Sequence, residues 1–214
     1  MNTALDAHEI QEILKYVVEN NKKLNKEGKK SIAIEVFGEA GCAKSSVVEQ
    51  VAIESEMPFV KINAAQITVD DFVGYPLKEY KMCKGEEYEW VVESAIDTYT
   101  AMGFKYSNDH RMGYAIPKWI MGQDKPMIFL IDDYSRASLP VLQAINEVVD
   151  RQEYLSWELP KGSTVILTAN PDTGDYFVSS TDSAMDTRKL KLEMKFSTEV
   201  WASWAEKYGV DSRC

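Results

Sequence analysis

The segment GEAGCAKS, residues 38–45, sets a lysine and a serine directly behind a turn of small residues. Small residues let successive backbone N–H groups point at phosphate oxygens, and a following helix adds the positive end of its dipole. Lys44 would then reach the β- and γ-phosphates of a nucleotide, and Ser45 would hold Mg2+. The cradle so read comprises Gly38, Glu39, Ala40, Gly41, Cys42, Ala43, Lys44, Ser45 and Ser46. The full pattern is G-x-x-x-x-G-K-[ST], and this chain has Ala43 in place of the last glycine. A methyl group is tolerated there at negative φ and strained at positive φ.

A second motif, MIFLIDDYSRA over 127–137, is an apolar run ending in two acids. Asp132 would hold the metal shell, and Asp133 stands where a base or water-orienting carboxylate is needed. An apolar strand ending in acids is common alone; behind a phosphate loop it points to Mg-ATP chemistry. The third motif, TVILTANP over 164–171, ends in Asn170, which could orient an attacking water. Asn-Pro is also an ordinary turn signal. The fourth, STDSAMDTR over 180–188, reads in isolation as a loop and short helix with Arg188 as a solvated charge.

These groups need a scaffold. Ile10, Ile13, Leu14, Val17 and Val18 have helical spacing and predict a helix over 5–27. Strands are predicted over 32–37, 59–63, 127–131, 164–169 and 190–196, with helices over 45–56, 139–151 and from 201. Strand, loop, helix and strand in that order form a βαβ unit and imply a parallel sheet. Between 64 and 125 the pattern is weaker. Tyr88, Val91, Val92, Ala95, Ile96, Tyr99 and Met102 fit one helical face, and 104–113 reads as a loop.

Composition narrows the partners. The net charge is −10, which argues against general nucleic-acid binding. Three cysteines and two solitary histidines make neither a disulfide framework nor a zinc site. No apolar run approaches the ~20 residues of a membrane span. No secretory leader is visible, so a cytoplasmic location is expected.

Together, the motifs resemble the AAA+ superfamily, and within it the MoxR-like and dynein-related ATPases of bacteria and phages. The resemblance runs from about Ile32 to Trp204. Besides the loop at 38–45, the Walker A motif, it includes DDFVGYP (70–76), YAIPKWI (114–120), IDDYSRASLPVLQAINEVVDRQEY (131–154), ELPKGSTVILTANP (158–171), SAMDTR (183–188) and WASWA (201–205). It implies an α/β P-loop NTPase fold, a three-layer αβα domain with a mostly parallel five-stranded sheet. The expected division is an N-terminal helix over 1–30, an ATPase core over 31–197 with an insertion around 74–125, and the start of a lid over 198–214. The lid is expected to lack the parts beyond its first helix.

The resemblance also implies a homo-oligomeric ring, usually a hexamer, with ATP between subunits. Asn170 then takes the sensor-1 place, and Arg188 that of an arginine finger acting on a neighbour's nucleotide. Arg136 matches a family arginine near the interface, and Asn63 a polar residue that can gate the catalytic acid. Tyr80 and Met82, read as lying in a polar loop, and the hairpin-like stretch 154–160 are candidates for a central pore. The implied activity is ATP hydrolysis that remodels a protein client, with a von Willebrand factor A-type partner by analogy. The family has Glu where this chain has Asp133, which is one methylene shorter. That departure keeps open a nucleotide-gated module with little turnover. A DNA-translocating ring is the third reading.

Overall fold

The computed structural model describes residues 4–171, 188–207 and 209. Its centre is a parallel sheet of β1 (Ala33–Phe37), β2 (Phe59–Asn63), β6 (Ile128–Asp132), β9 (Thr164–Ala169) and β10 (Lys189–Glu193). The spatial order is β10-β1-β9-β6-β2. Near-continuous burial along β1, β6 and β9 accounts for their largely apolar sequences: helices cover both faces.

One face carries α1 (Ala7–Lys26) and α2 (Lys44–Glu54). Ile10, Leu14 and Val18 of α1 meet Val48 and Val51 of α2 over Ile34, Val36, Leu130 and Ile166. Helix α1 begins with a reciprocal cap in which Asp6 accepts from the Glu9 N–H and Glu9 from the Asp6 N–H, both at 2.9 Å. Its buried Asn21 bonds both the N–H and C=O of Ile32 and the Thr164 hydroxyl, tying the helix to the starts of β1 and β9. The opposite face carries α5 (Leu139–Arg151), whose Val141, Ala144, Ile145 and Val148 pack on Phe129, Ile131, Val165 and Leu167. Because α2 and α5 cover opposite faces, the carboxyl ends of β1, β9 and β6 meet where the winding reverses, the usual place for a ligand crevice.

A short helix, α3 (Val69–Val73), leads into a separate antiparallel sheet of β3 (Tyr75–Lys84), β4 (Glu87–Val92) and β5 (Lys105–Ala115), in the order β4-β3-β5. A 3-10 turn (Glu93–Ala95) and α4 (Ile96–Ala101) join β4 to β5, and Met82, Val91 and Phe104 form a small core between. Three expectations are corrected here. Residues 88–92 are strand, so the helical face proposed across 88–102 reduces to α4. Residues 105–115 are strand, not loop. Tyr80 and Met82 lie in β3, and Met82 is wholly buried rather than presented by a polar loop.

A two-residue hairpin, β7 (Glu153–Tyr154) and β8 (Trp157–Glu158), follows α5. Its Trp157 enters an aromatic cluster with Phe72, Trp119 and Phe129, and its indole N–H donates to the Phe72 carbonyl at 2.8 Å. Trp119 stacks on Phe129, ring centroids 4.8 Å apart and planes within 9°. After β10, α6 (Thr198–Lys207) is the last described helix. Among the described residues, no helix is long and apolar enough to cross a membrane.

Candidate functional site

The loop at 38–43 leaves the carboxyl end of β1. Gly38 is needed because a Cβ there would run into the Met194 carbonyl oxygen, and its N–H donates to Ala169 O at 3.2 Å. The chain turns through Gly41 at φ +83° and then Ala43 at φ 68°, ψ 24°. Ala43 therefore occupies the left-handed region that its missing glycine counterpart would adopt freely, at a cost of roughly 1–2 kcal/mol. Helix α2 begins at the next residue. No described residue accepts from the backbone N–H groups of Ala40, Gly41, Cys42 or Ala43.

Lys44 is buried, and its ammonium donates to the carbonyls of Gly38 and Glu39, each at 2.8 Å, and to Asn170 Oδ1 at 3.0 Å. The positive charge thus sits inside the concavity of the loop, where phosphate oxygens would lie. Asn170, just past the end of β9, also donates through Nδ2 to Asp133 Oδ1 at 2.9 Å. The second Asp133 oxygen lies 3.6 Å from Arg136.

Asp132 ends β6. Its Oδ1 accepts from the Ser45 hydroxyl at 2.6 Å and from the Thr168 hydroxyl, and its Oδ2 lies 2.7 Å from Lys61 Nζ. Burial would raise this carboxyl, but Lys61, Ser45 and Thr168 together outweigh burial and hold it below the usual carboxylate range. Thr168 also accepts from the Asp133 N–H at 3.0 Å, bracing Asp133 in left-handed backbone at φ 55°. Ser45 and Asp132 supply a convergent hydroxyl and an ionised carboxylate. That hard-oxygen set suits a Mg2+ ion that keeps most of its waters.

Lys61 and Thr168 are absent from the residues singled out by sequence. Thr168 could have been found, since period-2 alternation puts it on the same side of the strand as Asn170. Lys61 becomes visible only once β2 is paired with β6, which sets Lys61 beside Leu130 and Asn63 beside Asp132. Asn63 accepts the Ala65 N–H at 3.0 Å, the bond of a strand-end cap.

Arg188 lies elsewhere. It is exposed and precedes β10, whose first residue pairs with the first residue of β1. The loop at 38–43 follows the far end of β1, so Arg188 is about one strand length from its own chain's Lys44 and Asp133. It lies near Asp150, whose carboxyl is lowered chiefly by its bond to Lys30, with Arg188 a lesser contributor. The rest of the SAMDTR box lies outside the described residues. A recess of about 500 Å3 beside the β7–β8 hairpin, lined by Glu147, Arg151, Tyr154 and Trp157 among others, shares no residue with the loop–acid cluster. The recess and the converging charged groups therefore lie in different places, and the charged groups decide for the cluster.

No protein-family model matches the chain, and neither does any curated protein. Among solved structures it is similar to the crystal structure of a candidate ATPase from Cytophaga hutchinsonii. The TM-score is 0.54 at 14% identity, over 96% of this chain and 51% of that one. The chain has a P-loop NTPase fold. It spans about half the length of that structure. In this P-loop domain the five-stranded parallel sheet and its two helical layers bring residues 38–46 together with Asp132, Asp133, Thr168 and Asn170 at one edge.

Proposed function

We propose that the chain is an AAA+ ATPase that binds Mg-ATP between subunits of a ring and uses hydrolysis to remodel a protein partner. One observation carries the nucleotide reading: Lys44, Asn170 and Asp133 form a continuous bonded path, and Ser45 and Asp132 converge beside it. A phosphate loop, metal-directed donors and a polar bridge to a second carboxylate are the parts that phosphoryl transfer to water needs. Loop N–H groups and Lys44 would bind the phosphates, the Lys44 ammonium leaving its carbonyl and Asn170 contacts to do so. Asp133, oriented by Asn170, would position the attacking water. Mg2+ held through Ser45 and Asp132 would neutralise charge on the phosphoryl group.

The ring, usually a hexamer in the family, rests on resemblance and on the placement of Arg188. That arginine is distant from its own site, as a finger offered to a neighbour would be. A protein client, a von Willebrand factor A-type partner and a cytoplasmic setting belong to the same reading. The acidic charge speaks against nucleic acid as the client.

The test is ATP turnover per subunit against protein concentration, with Lys44→Ala as control. A rate that climbs with concentration and vanishes in the control supports the proposal. Flat, negligible turnover with intact ATP binding supports a nucleotide-gated module instead. One observation favours that second reading: Asp133 is short for its role and already engaged by Asn170 and Arg136. Asp133→Glu separates them, since a large gain in rate identifies a weakened catalytic acid.

A further inference from the structure

Lys61 stands 2.7 Å from the carboxylate oxygen of Asp132 that Ser45 and Thr168 leave free. It projects from β2, which closes one side of the five-stranded sheet. Its side chain is 43% exposed against 15% for Asp132. The ammonium can therefore leave for solvent at small cost, while the carboxylate stays behind in a fixed, mostly desolvated position. A monovalent cation with a free exit thus neutralises the carboxylate to which a divalent cation would bind.

We infer that Lys61 is an internal competitor for the metal position, occupying Asp132 when no divalent cation is bound and setting how much Mg2+ the nucleotide complex requires. The inference rests on the nucleotide reading above. Two positive charges cannot share one carboxylate oxygen without strong repulsion. A divalent cation at Asp132 would therefore be opposed by the Lys61 ammonium, and the energy of displacing the Lys61–Asp132 pair is subtracted from metal affinity. The pair also neutralises Asp132 in the empty site, where an unpaired buried carboxylate would be unfavourable. Nucleotide without metal would still meet Lys61 nearby, so its removal should not strengthen metal-free binding.

The experiment titrates MgCl2 into protein saturated with ADP and, separately, a non-hydrolysable ATP analogue, reading the apparent Mg2+ dissociation constant by calorimetry. Lys61→Met keeps the aliphatic stem and removes the charge. It should tighten Mg2+ binding about fivefold, the order of a half-exposed ion pair. The gain should shrink in high salt, which screens that pair. Lys61→Arg, which keeps the charge, should stay near wild type, and nucleotide affinity in EDTA should not rise in either variant. Unchanged or weaker Mg2+ binding by Lys61→Met, with nucleotide binding intact, overturns the inference and leaves the nucleotide reading standing. Equal tightening by Lys61→Arg overturns it too, because loss of lysine shape rather than charge would be the cause. A wild-type chain that binds no nucleotide in any buffer overturns both.

Discussion

The side-chain amide of Asn170 donates to Asp133 Oδ1 at 2.9 Å while its oxygen accepts from Lys44. One residue at the end of β9 thus fixes the second acid of β6 relative to the lysine of the loop after β1. Asn170→Ala should leave Asp133 free to rotate and Lys44 without a lateral partner. Turnover should fall about 100-fold while nucleotide affinity changes only about threefold, the pattern of a group acting in the transition state. Steady-state rates and equilibrium nucleotide binding on the same preparation check it. A loss confined to affinity would make Asn170 a binding residue only.

Ala43 offers a test in the opposite direction. Its left-handed φ of 68° is a conformation that glycine enters freely. Ala43→Gly should stabilise the folded chain by about 0.5–1 kcal/mol, the relief of strain less the added flexibility of the unfolded chain. Urea unfolding at an unchanged m-value measures this. A destabilised variant would mean that the loop derives rigidity from the methyl group.

Within the sheet, Lys189 of β10 lies 2.7 Å from Glu35 of β1, both almost fully buried, and donates to the Tyr134 hydroxyl at 2.7 Å. Removing one member takes the buried ion-pair partner from the other, leaving Glu35 with Lys191 at 3.8 Å and Lys189 with the neutral Tyr134 hydroxyl. Lys189→Met or Glu35→Gln should each cost about 3–5 kcal/mol. The double replacement should cost less than their sum. Denaturant midpoints of the three variants supply the cycle, and additive losses would show that the pair is not coupled.

Asp132 gives a pH dependence of known sign. Its carboxyl is lowered in the folded state, so its interactions add stability that is full above the ordinary aspartate value of about 3.9. That contribution is lost as pH falls through the lower folded value. Asp132→Asn should therefore flatten the acid limb of the stability curve below about pH 4. Unfolding midpoints between pH 6 and pH 3 distinguish the slopes, and an unchanged slope removes Asp132 from the acid response.

Arg188 and Lys44 should complement each other across subunits. If the arginine serves a neighbour, Arg188→Ala alone should lose about 10³-fold or more in turnover with little loss of nucleotide affinity. Mixing it with Lys44→Ala should restore part of the rate, because the Lys44→Ala subunit still carries Arg188. No recovery in mixed assemblies, at concentrations where wild type is active, would confine each residue to its own chain.

The sequence was most readable where local pattern and buried sheet coincide. The largely apolar runs at 33–37, 128–132 and 164–169 lie between helical layers, so burial makes them legible, and α5 matches its expected bounds. The antiparallel sheet is hidden in the sequence for two physical reasons. Tyr88, Val91, Val92 and Ala95 satisfy helical spacing by accident while Tyr88, Trp90 and Val92 alternate. Strand β5 is almost entirely exposed, so it lacks an apolar stripe and is held by pairing with β3 and by contacts such as Arg111 over the Trp90 ring at 4.5 Å. Strand alternation marks Thr168, whereas the meaning of Lys61 depends on a partner far away in the chain.

The aromatic cluster under the site has an optical consequence. Trp119 and Trp157 lie 4.8 Å apart with planes 78° apart, and Trp119 also rests flat on Phe129, in the strand that ends in Asp132. Two indoles so close and so differently oriented couple their strong far-ultraviolet transitions and give a signed dichroism couplet there. That spectrum would collapse once the packing around β6 loosened, even with the backbone secondary structure kept. The molecule therefore carries its own spectroscopic gauge of the strand that holds the site.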